Sequence, residues 1–246
     1  MRLLTRFAAL ALIATPNIAL AAAPAPVPAP GFQIGDTWVY DRTHEVGANG
    51  FSKQTIDLTI DRVDAETMLV GIKPDGAPSA FVDHITGLDW SQRRMVDGQE
   101  TVTGRPFLFP LKIGSTWTAD YVQPRPQGVQ TSAHFHTTYK VVGWEDVVVP
   151  AGTFHALKIE ANGTAEGQIS TPASAVASVV ATPSGGTSVA HSERAHSGVV
   201  HVITYDAFYY VPEIKYYVKR IEEQYNGDNV RTVRDTDTLV SFKAAH

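Results

Sequence analysis

The stretch Thr55-Ile56-Asp57-Leu58-Thr59-Ile60-Asp61 alternates apolar and polar residues at a strict period of two. Only an extended strand places Ile56, Leu58 and Ile60 on one face and the aspartates on the other. One dry and one wet face is the pattern of an antiparallel sheet solvated on one side. Further β-rich runs lie at 37–41, 67–73, 87–96, 116–122, 133–142, 154–161, 199–211, 216–225 and 230–242. Turn formers separate them: Gly47-Ala48-Asn49-Gly50, Pro74-Asp75-Gly76, Asp97-Gly98, Asn162-Gly163 and, most clearly, Asn226-Gly227-Asp228. No segment beyond the first twenty-odd residues carries a long apolar period of 3.6. The expected class is mostly β, with antiparallel pairing.

The amino terminus reads as an export signal. Arg2 and Arg6 precede the apolar run Phe7-Ala8-Ala9-Leu10-Ala11-Leu12-Ile13-Ala14, and Ala19-Leu20-Ala21 supplies a small-x-small cleavage site. Residues 1–21 are expected to be removed, and residues 22–30, rich in Pro and Ala, to form a spacer. Residues 31–246 are then one β domain, periplasmic or secreted, with no membrane span. The chain has no Cys, which excludes disulfides, thiolate metal sites, Cys nucleophiles and lipidation at the cleavage site. Without the two leader arginines, 18 basic residues face 25 acidic ones, a formal charge of −7. That balance argues against a nucleic-acid partner.

Two internal features bear on organisation. Ile34-Gly35-Asp36-Thr37-Trp38 recurs as Ile113-Gly114-Ser115-Thr116-Trp117, 79 residues later. In each copy a turn glycine introduces a strand anchored by Trp. The copies would open two halves, 31–109 and 110–246; a continuous sheet and two similar subdomains both stay open at this point. Residues 164–198 are dominated by Ala, Ser, Thr, Gly and Val. They are expected to form a long mobile insertion, a candidate flap over the sheet, in which 173–181 would be a weak edge strand or short helix.

The most distinctive stretch is Val147-Val148-Val149-Pro150-Ala151-Gly152-Thr153-Phe154-His155-Ala156, in which Pro-Ala-Gly joins two β-rich runs. With Gly114…Trp117 before it and Tyr210-Val211-Pro212 and Tyr217-Val218-Lys219-Arg220 after it, it resembles a pattern of uncharacterised exported bacterial β-sheet proteins. That family is similar to the half-barrel superfamily of the periplasmic lipoprotein carriers. The resemblance covers residues 110–225. It implies a curved antiparallel sheet, a half-barrel or open barrel, and carries no catalytic residue across.

Signatures of common catalytic chemistry are absent: there is no P-loop, Gly-x-Gly-x-x-Gly, His-Glu-x-x-His or Ser-x-x-Lys. His134 and His136 would share one strand face and are the candidate metal ligands; a solvated strand face is the plainer reading of the same pattern. Seven aromatics crowd positions 205–225. Tyr205, Tyr209, Tyr210 and Tyr217, with Trp144, are the candidate ligand-binding residues, because tyrosines on a concave sheet line apolar pockets. Core packing is the competing role. Trp38 and Trp117 read as core anchors, while Trp90 and Trp144 are less constrained. Glu222-Glu223 and Asp235-Thr236-Asp237 read as solvent-side charges within reach of Arg220, Arg231 and Arg234. No cofactor is expected. The favoured function is non-catalytic binding of an apolar or amphipathic molecule, or of an envelope partner, on a curved sheet. A hydrolase of envelope polymers and a structural assembly module are the alternatives.

Overall fold

The computed structural model describes residues 24–245 except 49, 79, 126–129, 170–175, 182–186 and 193–197; the expected leader lies outside them. The first half of the chain forms β1 (Thr37–Val46), β2 (Gly50–Val63), β3 (Thr67–Pro74), β4 (Val82–Gly87), β5 (Gln92–Val96) and β6 (Gln99–Gly104). The second half forms β7 (Thr116–Pro124), β8 (Gln130–Val149), β9 (Gly152–Ile169), β10 (Val176–Ala181), β11 (Thr187–Ser192), β12 (Gly198–Val211), β13 (Tyr216–Tyr225) and β14 (Arg231–Lys243). Twelve of these strands make one sheet in the order β6-β5-β4-β3-β2-β1-β14-β13-β12-β9-β8-β7, nearly closed into a barrel. Every pairing is antiparallel.

Most strands coincide with the expected runs, and so do the turns at Gly47, Asp75-Gly76, Asp97-Gly98 and Gly227-Asp228; the expected turn at Asn162-Gly163 does not form, because both residues lie inside β9, paired with β8 on one side and β12 on the other. Pro150 and Ala151 form a tight turn, and Gly152 follows with φ of +137°. At Asn226 the side-chain oxygen accepts from the amides of Asp228 and Val230 and folds that turn. Two runs differ from expectation. The run 87–96 is broken by a turn at Leu88–Trp90: Gly87 N–H donates to Ser91 O and Trp90 N–H to Gly87 O, both at 2.9 Å. Within the expected insertion, β9 continues to Ile169 and β12 begins at Gly198, while β10 and β11 pair only with each other in a separate two-stranded sheet.

The repeated pentapeptides make matching backbone bonds. Gly35 and Gly114 both have positive φ, +93° and +86°. Gly35 N–H donates to Ile60 O and Ile60 N–H to Asp36 O; Gly114 N–H donates to Val141 O and Val141 N–H to Ser115 O. Each copy thus locks its strand onto the next, β1 on β2 and β7 on β8. Asp36 adds a bond set that Ser115 lacks. Its buried carboxylate accepts from Lys215 Nζ at 2.7 Å, Ala245 N at 2.9 Å and Gln33 N at 3.0 Å, tying the two ends of the domain together.

Side chains pointing into the barrel fill one end completely. Trp38, Tyr40, Ile60, Met68, Leu157, Ile159 and Leu239 are buried there. The segment between β6 and β7 inserts Phe107, which packs on Tyr210, Phe208 and Tyr216 with ring centroids 5.0–6.1 Å apart. Leu111 exchanges two 2.8 Å backbone bonds with Val27 of the Pro/Ala segment. A smaller cluster of Val96, Tyr121, Ala133, Phe135, Ala165 and Val202 fills the other end.

Beyond Ile159 the inward positions of β9 are small, Ala161, Gly163 and Ala165. Gly163 sits between Thr137 and Thr204 in register, and a Cβ there would lie 2.8 Å and 2.4 Å from their hydroxyl oxygens. Gly163→Ala is therefore expected to lower stability by about 1–3 kcal/mol through overpacking. Adding Thr204→Ala should recover part of that loss, read as non-additivity of the urea unfolding midpoints.

Candidate functional site

Between the two apolar ends the barrel interior is charged. Strand β12 turns Asp206 inward, β13 Arg220, Glu222 and Gln224, β14 Asp237 and β1 Arg42. The strand register brings these positions together: Asp206 faces Glu222, and Asp237 lies between Arg220 and Arg42. Arg220 Nη2 donates to Asp206 at 2.8 Å and also to Glu222. Arg42 grips Asp237 through Nε at 2.7 Å and Nη2 at 2.9 Å, and Tyr217 O–H donates to the same carboxylate. Glu222 and Asp237 are buried, so the solvent-side reading of these two acids is corrected. Their strands carry polar side chains inward because every charge meets an opposite partner there. Glu223 and Asp235 stay partly exposed, Glu223 paired with Arg231 and Arg234 and Asp235 with His44.

Burial raises the Asp206 carboxyl to about 7, against the opposing pull of Arg220. At Asp237 burial is outweighed by the Arg42 hydrogen bonds, which hold the carboxyl below its ordinary value. For Arg220 burial is likewise overcome, here by Glu222 and Asp206, and the guanidinium is held more firmly charged.

Two cavities flank this charged girdle. The smaller, about 60 Å³, lies among Trp90, Gln92, Thr137, Tyr139, Asp206 and Glu222. The larger, about 400 Å³, has an apolar wall of Ile56, Leu58, Val70 and Ile72 from β2 and β3. Opposite stand Trp90, Tyr216 and Tyr217, and around them Arg42, Arg93, Arg94, Arg220, His84, Thr86 and Gln92. Among the described residues, no acidic one lines it.

The larger cavity lies beside a break in the sheet. Strands β4 and β5 pair at one position only, Thr86 with Gln92. His84 is opposite the buried Val70 and so faces inward, yet it is exposed, as are Val82 and Ile85. The slot between β4 and β5 therefore communicates with solvent.

Trp90 builds the wall shared by the two cavities. It holds φ at +59°, a left-handed conformation that costs about 1–3 kcal/mol for such a residue. Its ring stacks on Tyr216 at 3.6 Å and meets Trp38 and Phe32 edge-on. Its indole N–H donates to Lys215 O at 3.1 Å.

The residues singled out in the sequence fall in different places. Tyr217 lines the larger cavity. Tyr210 is inside as well, packed on Phe107 and Phe109 at the filled end. Tyr205 and Tyr209 alternate to the outer face: Tyr205 donates to Glu160, and Tyr209 lies under Lys158 and Lys219. Trp144 stacks on His155 near the β8–β9 hairpin. His134 and His136 share the outer face of β8, and both approach Asp120, at 3.2 Å and 2.7 Å. Among the described residues no three His, Asp or Glu are arranged to hold a metal ion.

Sequence reasoning missed Trp90, Arg93, Arg94 and Arg220 as cavity residues. A usable signal was the paired Arg93-Arg94 beside the turn at Asp89 and Trp90, where a core strand would carry apolar residues.

Fold and interior together define a nearly closed antiparallel barrel with a charged girdle and a solvent-connected cavity. No protein-family model matches the chain, and no curated protein matches it. Three solved structures are similar in shape. A candidate lipoprotein from Parabacteroides distasonis is 13% identical, with 89% of this chain and 100% of that one covered, at a TM-score of 0.46. A candidate exported protein with a YmcC-like fold from Bacteroides fragilis is 13% identical over the same shares, at 0.40. The hypothetical lipoprotein YmcC from Escherichia coli is 12% identical over 85% of this chain and 86% of that one, at 0.35. The lipoprotein label belongs to those proteins; this chain has no Cys.

The girdle makes stability depend on pH with a defined sign. In the unfolded chain Asp206 ionises near 3.8, in the folded protein near 7, so folded protein retains a proton that unfolded chain has released. Its contribution therefore falls as pH rises between those values. Asp237 acts oppositely: its stabilisation is present above the ordinary carboxylate value and is lost as pH falls through its lowered one. Asp206→Asn is expected to flatten the decline of the melting temperature from pH 4.5 to 7, followed by circular dichroism at fixed ionic strength.

Proposed function

We propose that this chain is an exported binding protein that holds an amphipathic small molecule in the 400 Å³ cavity. Export rests on the leader sequence. One observation carries the binding reading: an otherwise filled barrel keeps a space with an apolar wall on β2 and β3 and an arginine-bearing wall opposite, beside a slot in the sheet. Ligand sites are commonly concave, mainly apolar, and oriented by a few polar groups. An ordinary core would have closed this volume, because interiors pack to the density of organic crystals. The exposed Val82, Ile85 and Met95 along β4 and β5 supply apolar surface beside the opening, suited to passing a greasy tail inward.

The apolar fluorophore N-phenyl-1-naphthylamine should bind the purified protein with blue-shifted, enhanced emission. Ile72 is a half-buried member of the apolar wall. Ile72→Trp fills the cavity and should weaken the probe by about tenfold or more, a loss of about 1.4 kcal/mol, with the cooperative melt retained. Equal binding to wild type and variant would place the probe elsewhere and remove the support for this reading.

A further inference from the structure

Four residues that line that cavity each carry a buried polar atom without a hydrogen-bond partner: Arg93 Nε, Arg220 Nε, Thr86 Oγ1 and Gln92 Oε1, the last of them on the side of Gly104 and the smaller cavity. Buried polar groups are nearly always paired, so the three donors among them, on the walls of one space, form a concentrated demand for a partner. Two of them are guanidinium donors, and the threonine hydroxyl is a third donor. From these we infer that the cavity takes a single-chain amphiphile with an anionic head, a carboxylate or a phosphate, received by Arg93 together with Arg220 and Thr86. The inference rests on the amphiphile reading and adds the chemistry of the head.

The charge balance points the same way. The four lining arginines are Arg42, Arg93, Arg94 and Arg220. Arg42 is matched by Asp237, and Arg220 by Asp206 and Glu222. Arg93 reaches a carboxylate only at 3.6 Å, that of Glu100, which is itself largely exposed. The acids of the girdle meet the arginine groups from positions outside the cavity lining. Arg93 thus brings to the cavity wall a guanidinium with an unused N–H, and such a fork matches the oxygens of carboxylate and phosphate. An uncharged head would leave that donor poorly satisfied in a site of reduced dielectric. The tail would lie against Ile56, Val70 and Ile72.

The test compares three ligands of one chain length by isothermal titration calorimetry: octanoate, octyl phosphate and 1-octanol. Wild-type protein is expected to bind at least one anion about tenfold or more tightly than the alcohol, and the tighter anion identifies the head. Arg93→Gln is the informative variant, since Arg220 is tied to two carboxylates that its loss would strand. It should melt within a few degrees of wild type and lose most of the preference for the anion, with 1-octanol affinity unchanged. A melt far below wild type would be answered by Arg93→Lys, which keeps the charge, lacks the fork, and should lose part of the preference. Equal affinity for anion and alcohol would overturn the head assignment while leaving the amphiphile reading intact. An anion preference untouched by either substitution would overturn the role of Arg93. No binding by any of the three would remove both readings.

Discussion

Arg220 is the contact on which the barrel interior turns. Its guanidinium reaches Asp206 on β12 and Glu222 on its own strand, and the neighbouring Arg42–Asp237 pair joins β1 to β14. Such pairs are poor sources of net stability, because desolvation offsets most of the attraction. Their effect is on register. Shifting β13 by one residue would turn Arg220 and Glu222 to the outer face and bring Lys219 and Glu223 inward, away from their partners. An apolar girdle would tolerate several sliding arrangements of these long strands. This one tolerates a single register, and so holds the middle of the barrel open where apolar side chains would close in.

Local devices at the ends support that middle. Gly35 and Gly114 let the chain turn before β1 and β7, and the bonds that follow start two hairpins in the same way. The sheet is interrupted between β6 and β7, and the connecting segment covers the gap. Trp117 N–H donates to Arg105 O, and Phe107 enters the interior. The first and last strands, by contrast, meet mid-sheet, where β1 pairs with β14 and Asp36 binds Ala245. Breaking the sheet away from the β1–β14 seam leaves the β6–β7 connection to serve as a plug.

The sheet was legible because its outer faces are polar and many of its inner faces are not. Strand β2 alternates cleanly, Asn226 and Gly227 announce the last hairpin, and Pro150 the central one. The interior site was illegible for the converse reason. Along Lys219-Arg220-Ile221-Glu222-Glu223-Gln224 the inward positions are as polar as the outward ones, so no period separates them, and buried acids read as surface acids. Tyrosines misled in a related way: Tyr205 and Tyr209 pack outward under charged neighbours, a use of aromatic area that composition cannot tell from pocket lining. Trp90 was hidden because Gln92-Arg93-Arg94-Met95-Val96 continues β-like from Gly87 and masks the turn between them.

That turn explains why the cavity persists. With Trp90 in a left-handed conformation, β5 leaves β4 after one paired position and takes up β6 instead. Closing the slot would require straightening residue 90. Its ring would then leave Tyr216, and its N–H would leave Lys215 O, itself part of a turn fixed by the bond from Lys215 Nζ to Asp36. Lys215 is also left-handed, at φ +63°. Two strained residues are thus held by each other and by a buried carboxylate, and their combined geometry keeps a strand pair apart. A cavity left by poor packing would be free to collapse. This one is bounded by groups whose own hydrogen bonds and stacking would be lost if it did, so the open interior is a property of the folded barrel itself.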